Sequence, residues 1–167
     1  MKSLRWFVLV AVALPLLVFG GVFLAGPERV WELFGGPADQ GAVDFSTLAR
    51  RSTPNDALAC SPDACDGVTD VELPLYRDPP AALLDRLDAI VLVDSDVARV
   101  DDGGRQDYRR YVARTPLLRF PDTIDAEALP GSDGTRLRLY SRSLLGASDF
   151  DANGARLENW TAQLRAN

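Results

Sequence analysis

The sequence predicts an α+β domain behind a single N-terminal transmembrane helix: a small antiparallel sheet with two helices packed on one face. Three observations lead there. Trp6 to Ala25 runs for 20 positions without a charge. Two apolar stripes at helical spacing bracket a set of short period-two segments. The connections between those segments are short, which favours antiparallel over crossover pairing.

At ~1.5 Å per residue, the uncharged run is about 30 Å long, one hydrocarbon core. Pro15 and the Gly20-Gly21 pair are tolerated in a membrane span, and Trp6 sits where an interfacial aromatic belongs. A cleaved signal peptide is the rival reading, but Phe23-Leu24-Ala25 makes a poor cleavage site. Lys2 and Arg5 precede the run, while Glu28, Arg29 and Glu32 follow it with a net negative charge. The basic side stays inside. The expected organisation is a cytoplasmic N-terminus (1–5), a transmembrane helix (6–25), a tether (26–53) and an extracytoplasmic α+β domain (54–167) on the inner (cytoplasmic) membrane.

Within the tether, Gly35-Gly36-Pro37, Gly41 and Ser52-Thr53-Pro54 are loop signals. Cys60 and Cys65 flank four residues including Pro62. In an exported domain this reads as a local structural disulfide worth about 2 kcal/mol. A redox pair usually has two intervening residues. Asp78-Pro79-Pro80 opens a helix with an N-cap followed by proline, and Leu83, Leu84, Leu87, Ile90 and Val91 form its buried stripe. A strand follows at Val97 to Val100, then a hairpin turn at Asp101-Asp102-Gly103-Gly104.

Tyr108 to Thr115 alternates as a strand, with Tyr111, Ala113 and Thr115 opposite Val112 and Arg114. Pro116 interrupts pairing, and Gly131 to Gly134 marks another turn. Thr135 to Ser143 is the next strand. The last helix carries Leu157, Trp160 and Leu164, with Asp149 or Asp151 as cap and Phe150 as a hydrophobic staple.

Composition excludes several functions. The chain is 47% apolar, enough for a core, and carries a formal net charge of −6. The acidic excess grows once Lys2 and Arg5 are set aside, so nucleic acid is not an expected partner. There is no histidine. Ser-His-Asp and Cys-His chemistry and histidine metal sites are therefore excluded, no catalytic constellation is evident, and no metal or cofactor is expected.

The run Arg114-Thr115-Pro116-Leu117-Leu118-Arg119-Phe120-Pro121-Asp122-Thr123-Ile124 resembles the central motif of the bacterial and plastid family called domain of unknown function 1499. Tyr140-Ser141-Arg142-Ser143, then Gly146, Ser148, Asp149, Asn153, Arg156 and Trp160, is similar to its C-terminal motif, and Pro54-Asn55-Asp56-Ala57-Leu58-Ala59-Cys60 to the opening of one branch. The likeness covers roughly residues 54–164. The family pattern implies Arg where Leu144 stands and Gly where Asp151 stands. It implies no activity.

Within these motifs Arg114, Asp122, Ser141, Arg142, Ser143, Asp149 and Arg156 are the candidates for an anion-binding or structural network, because arginine binds carboxylate or phosphate through a rigid fork. Arg142 is expected to pair with Asp122 or Asp149, and Arg114 to join them. The expected function is a membrane-anchored binding or interaction module of the cell envelope, with an envelope ligand or protein as partner and residues 6–25 in the membrane. The alternatives are a carboxylate-dependent hydrolase using Asp122 and Asp149 on an envelope substrate, or a structural partner of a membrane protein.

Overall fold

The computed structural model describes residues 11–17, 20, 21, 24 and 26–166. Half of the transmembrane helix expected over Trp6–Ala25 lies outside them. Residues 11–17 are helical and exposed, but among the described residues no helix is long and apolar enough to cross a membrane, and the expected span is corrected on that finding. Past Ala25 the backbone has a physical stop. Gly26 takes a left-handed φ of 82°, and Pro27 opens a separate helix, α1 (Pro27–Gly35). The residues at the head of the expected tether are therefore helical.

The remaining elements are β1 (Asp56–Cys60), β2 (Val71–Glu72), α2 (Pro80–Val91), β3 (Val97–Arg99), β4 (Tyr108–Arg114), β5 (Pro121–Gly131), β6 (Gly134–Ser143) and α3 (Ala152–Ala166). The strands form one six-stranded sheet in the order β2-β1-β6-β5-β4-β3. The sheet is mixed, correcting the small antiparallel sheet expected from sequence. β1 and β2 run parallel, with Ala59 opposite Val71, while all other neighbours are antiparallel. The intervening crossover carries the Cys60–Cys65 disulfide, whose Cα atoms are 6.1 Å apart.

Alternation along the strands sorts side chains onto two faces. On one face Tyr111, Ala113, Ile124, Ala126, Leu137 and Leu139 pack against Leu83, Leu84 and Leu87 of α2 and Leu157, Trp160 and Leu164 of α3. Each of the α2 leucines is fully buried, and burial of this kind contributes about 1.5–3 kcal/mol per side chain. Trp160 meets Tyr111 edge-on at 5.9 Å. α2 starts at Pro80 without a side-chain cap; Asp78 instead accepts from Arg86.

The other face is covered by a strap, residues 36–53. Phe45 packs on Leu58, Cys60 and Tyr140, Ala38 is buried, and Val43 and Leu48 flank them. The strap is tied down by polar contacts. Arg110 holds Asp39 at 2.7 and 2.9 Å, Gln40 donates to the Arg142 carbonyl at 3.2 Å, and Arg50 grips Asp56 through two bonds of 3.0 and 3.1 Å.

Two of these carboxylates, Asp39 and Asp56, and Asp101 in the turn after β3 have pKa values below the ordinary aspartate value. Burial alone would raise Asp101, but the Arg99 guanidinium and the Arg110 and Gly103 backbone N–H groups outweigh it and bring the group down to about 2. Burial is likewise outweighed at Asp39 by Arg110 and the Gly41 N–H, and at Asp56 by Arg50, the Arg51 N–H and Tyr140. A carboxylate lowered on folding adds stability above its unfolded pKa and loses it as pH falls through the folded value. Urea midpoints should therefore hold from pH 7 to about 5, then fall between about pH 4 and about pH 2. Asp101→Asn should blunt that fall.

Candidate functional site

On the helix face, the ends of β5 and β6 carry polar residues where the apolar core stops. Ser141 and Ser143 share that face by alternation, and Asp122 joins them from β5 through its pairing with Ser143. Asn153 and Arg156, three apart on α3, reach the same spot. Arg156 meets Asp122 at 2.6 Å and donates to Ser141 Oγ at 3.0 Å and Asn153 Oδ1 at 2.8 Å. Ser141 Oγ in turn donates to Asn153 Oδ1. Asn153 Nδ2 donates to Ser143 Oγ at 3.0 Å, Asp149 Oδ2 at 2.6 Å and the Asn55 carbonyl at 3.2 Å. Asp122, Ser141, Ser143 and Asn153 are all buried. A buried polar cluster is tolerable only when its members are satisfied, and here they are.

Asp149 is also the helix cap. Its carboxylate accepts from the Asn153 backbone N–H at 2.9 Å, near the positive end of α3. The sequence expectation of a cap is met at this position by geometry. Phe150 is not a staple: it is 94% exposed.

Arg142 lies elsewhere. Its side chain falls on the strap face, since it sits between Ser141 and Ser143. There it pairs with Asp125, which is fully buried, and donates to the Gly41 carbonyl at 2.6 Å. Tyr108 donates to the same Asp125 carboxylate, and burial followed by that bond pushes the Tyr108 hydroxyl upward. Arg142 thus meets neither Asp122 nor Asp149. Arg114 is separated from it by β5 and contacts α1 instead, at 3.2 Å from Glu32 and 3.7 Å from Glu28. Of the seven residues singled out, Asp122, Ser141, Ser143, Asp149 and Arg156 come together, and Arg142 and Arg114 each belong to another cluster.

Beside the helix-face cluster lies an open cavity of about 310 Å³ between the 115–121 loop and the 144–152 turn. Phe120, Pro121, Leu145, Phe150 and Ala152 make its walls predominantly apolar, while Asp122, Ser143 and Asp149 give it one polar side. Phe150 and Asp151 hold successive left-handed φ angles of 54° and 68°. Non-glycine residues seldom take that conformation, and each costs roughly 1 kcal/mol or more. Aspartate tolerates it better than most. The glycine that the family-like pattern places at 151 has the same conformational reason.

Sequence reasoning passed over Asp125, Phe120 and Asn55. Asp125 lay in a segment not read as a strand. The two others stood inside quoted motifs without chemistry of their own to mark them.

Asp122 accepts from Arg156, and Asp149 accepts from Asn153. Among the described residues no group of three or more His, Cys, Asp or Glu is arranged to hold a metal.

A family model described as a protein of unknown function (DUF1499) matches residues 50–164. No curated protein and no solved structure matches the chain.

The three clusters should respond differently to loss of arginine. Arg142→Ala leaves the buried Asp125 carboxylate unpaired, and Arg156→Ala does the same to Asp122; each should cost about 3 kcal/mol or more. Arg114→Ala removes contacts to half-exposed glutamates and should cost about 1 kcal/mol or less. Urea denaturation of the three variants gives the comparison. Equal losses in all three would contradict this division.

Proposed function

The chain belongs to the DUF1499 family, and from the geometry of its motif residues we propose that the domain is an extracytoplasmic binding module whose ligand occupies the cavity beside Phe120 and Phe150. The observation that carries this is the convergence of both motifs on one cavity. The first supplies Phe120, Pro121 and Asp122; the second supplies Ser143, Gly146, Ser148 and Asp149, with Phe150 next to it. Small-molecule sites commonly combine an apolar wall with a few placed polar groups.

The wall chemistry defines the ligand class. An apolar body fits between Phe120, Leu145 and Phe150, and a polar end that donates hydrogen bonds, an ammonium or hydroxyl, fits beside Asp149 and Ser143. Phe150 lines the cavity and is strongly exposed, which eases entry of an apolar molecule. The Cys60–Cys65 disulfide supports an oxidising compartment outside the cytoplasm. A carboxylate-dependent hydrolysis finds less support, because the Asp122 carboxylate is tied to Arg156.

Octylamine and octanoate are suitable probes of the full chain, since they share a tail and differ in head group. Octylamine should raise the melting temperature more than octanoate. At ~100 times its dissociation constant a ligand adds about 2.7 kcal/mol. Ala152→Trp, which fills the cavity, should remove the difference while the protein stays folded. An undiminished octylamine response in that variant would defeat the assignment.

Location has its own measurement. Protein recovered from cells with thiols blocked at lysis should contain the Cys60–Cys65 bond in intact-mass analysis. Two alkylated thiols in that material would contradict an oxidising location.

A further inference from the structure

α1 lies outside the residues that the family model matches, yet it covers residues inside them. Glu28 meets Arg119 at 2.9 Å, and Glu32 meets Arg114 at 3.2 Å. Trp31 stacks on Phe120 with ring centroids 4.4 Å apart and donates to the Leu118 carbonyl. Gly35 sits so close to Leu144 and Leu145 that a Cβ would approach Leu145 to 2.7 Å. Leucine at 144, where the family-like pattern has arginine, thus makes part of the seat for the helix. The effect of this docking is to deliver two carboxylates to two arginines.

Arg119 is engaged by Glu28 and Asp96, but Arg114 is not saturated. Arg114 is only 14% exposed, and its Nη1 is buried without a hydrogen-bond partner among the described residues. Glu28 and Glu32 approach its other nitrogens, Nε and Nη2, and each glutamate is 43% exposed. Buried guanidinium donors ordinarily find acceptors, so an unmatched one is a site feature to be explained. An open cavity of about 410 Å³ lies beside it, lined by Arg114, Arg119 and Ser95 along with the two glutamates. The other carboxylates there are already engaged: Asp96 by Arg119 and Asp39 by Arg110. With α1 lifted away, Arg114 would be the cation left without a counter-charge.

We propose that Arg114 and Arg119 form an oxyanion-binding site, for a carboxylate or a phosphate group, and that α1 fills it in cis with the carboxylates of Glu28 and Glu32. The arginine fork suits either oxyanion bidentately. This site is distinct from the cavity beside Phe150 and lies beyond the reading given for it. A tethered carboxylate competes at an effective concentration on the order of millimolar, so an external anion binds the intact chain weakly until α1 is displaced. Half-exposed ion pairs are weak and salt-sensitive, which makes that displacement feasible.

The test uses the full chain and inorganic phosphate, against sodium chloride of equal ionic strength, with acetate as a parallel titration to distinguish phosphate from carboxylate preference. In the Glu28→Gln/Glu32→Gln variant, phosphate or acetate should raise the melting temperature at concentrations at least tenfold below those the wild type needs. Adding Arg114→Gln should abolish the response. If the double variant does not fold, Glu32→Gln alone, which leaves the Glu28–Arg119 pair, should show the same change in smaller measure. A folded variant that responds to neither anion overturns the proposal. So does a response that persists without Arg114, which marks non-specific ion binding.

Discussion

Three carboxylates on the central strand β5 set the terms for the rest of the molecule. Asp122, Asp125 and Glu127 are all buried, and a buried carboxylate is costly unless paired and hydrogen-bonded. Their partners come from three parts of the chain. Asp122 takes Arg156 from α3, Asp125 takes Arg142 from β6, and Glu127 takes Arg138 from β6 and Arg105 from the loop before β4. Asp122 faces the helices, while Asp125 and Glu127 face the strap. Satisfying them therefore requires α3, β6, the strap and the β3–β4 loop to be in position together. The pairs also fix register. A one-residue slip of β5 against β6 would turn all three carboxylates to the wrong face and part Arg156, Arg142 and Arg138 from their carboxylate partners. Replacing such ions with apolar residues is often neutral or better for stability, so their contribution here is to select one arrangement of strands.

The same feature explains what the sequence concealed. β5 is the longest strand, yet its acidic residues and Pro130 argue against a strand by propensity. Tertiary pairing with arginine overrides that preference. β1 was equally hard to see because Ala57, Leu58 and Ala59 show no alternation when both faces are covered, and β2 is two residues long. By contrast, α2, β4, β6 and α3 were legible, since each buries one face against solvent or a polar layer and so keeps a clear period. The strap read as a tether because its glycines, prolines and polar residues signal irregular backbone. Its anchoring through Phe45 and a few arginine contacts has no periodic signature.

The candidate site was legible in its members more than in its grouping. Arginines and acids within the motifs were identifiable from chemistry alone, but the pairing of Arg142 was not consistent with strand parity. A residue between Ser141 and Ser143 faces away from both, so Arg142 and those serines cannot share a cluster. Strict alternation would have separated them and pointed to a partner on the opposite face of β5. That partner, Asp125, was hidden because β5 was not recognised. One missing strand thus accounts for both the wrong pairing and the expectation that Arg114 joins the Arg142 network.

The turn between β6 and α3 shows how the structural and recognition roles join. Asp149 must keep its carboxylate on the Asn153 backbone and side chain, because that bond caps α3 and closes the buried cluster. Fixing Asp149 leaves the chain little room before Ala152 enters the helix, and Phe150 and Asp151 absorb the mismatch in left-handed conformations. Phe150 gains no burial in exchange; its ring stands in solvent at the cavity mouth. An exposed aromatic held by strained backbone gains no burial in the isolated domain, and this supports the proposal that a ligand in the cavity would cover it. The cap, the strain and the exposed ring are consequences of one geometric demand, which ties the apolar wall of the cavity to the same Asp149 that supplies its polar side.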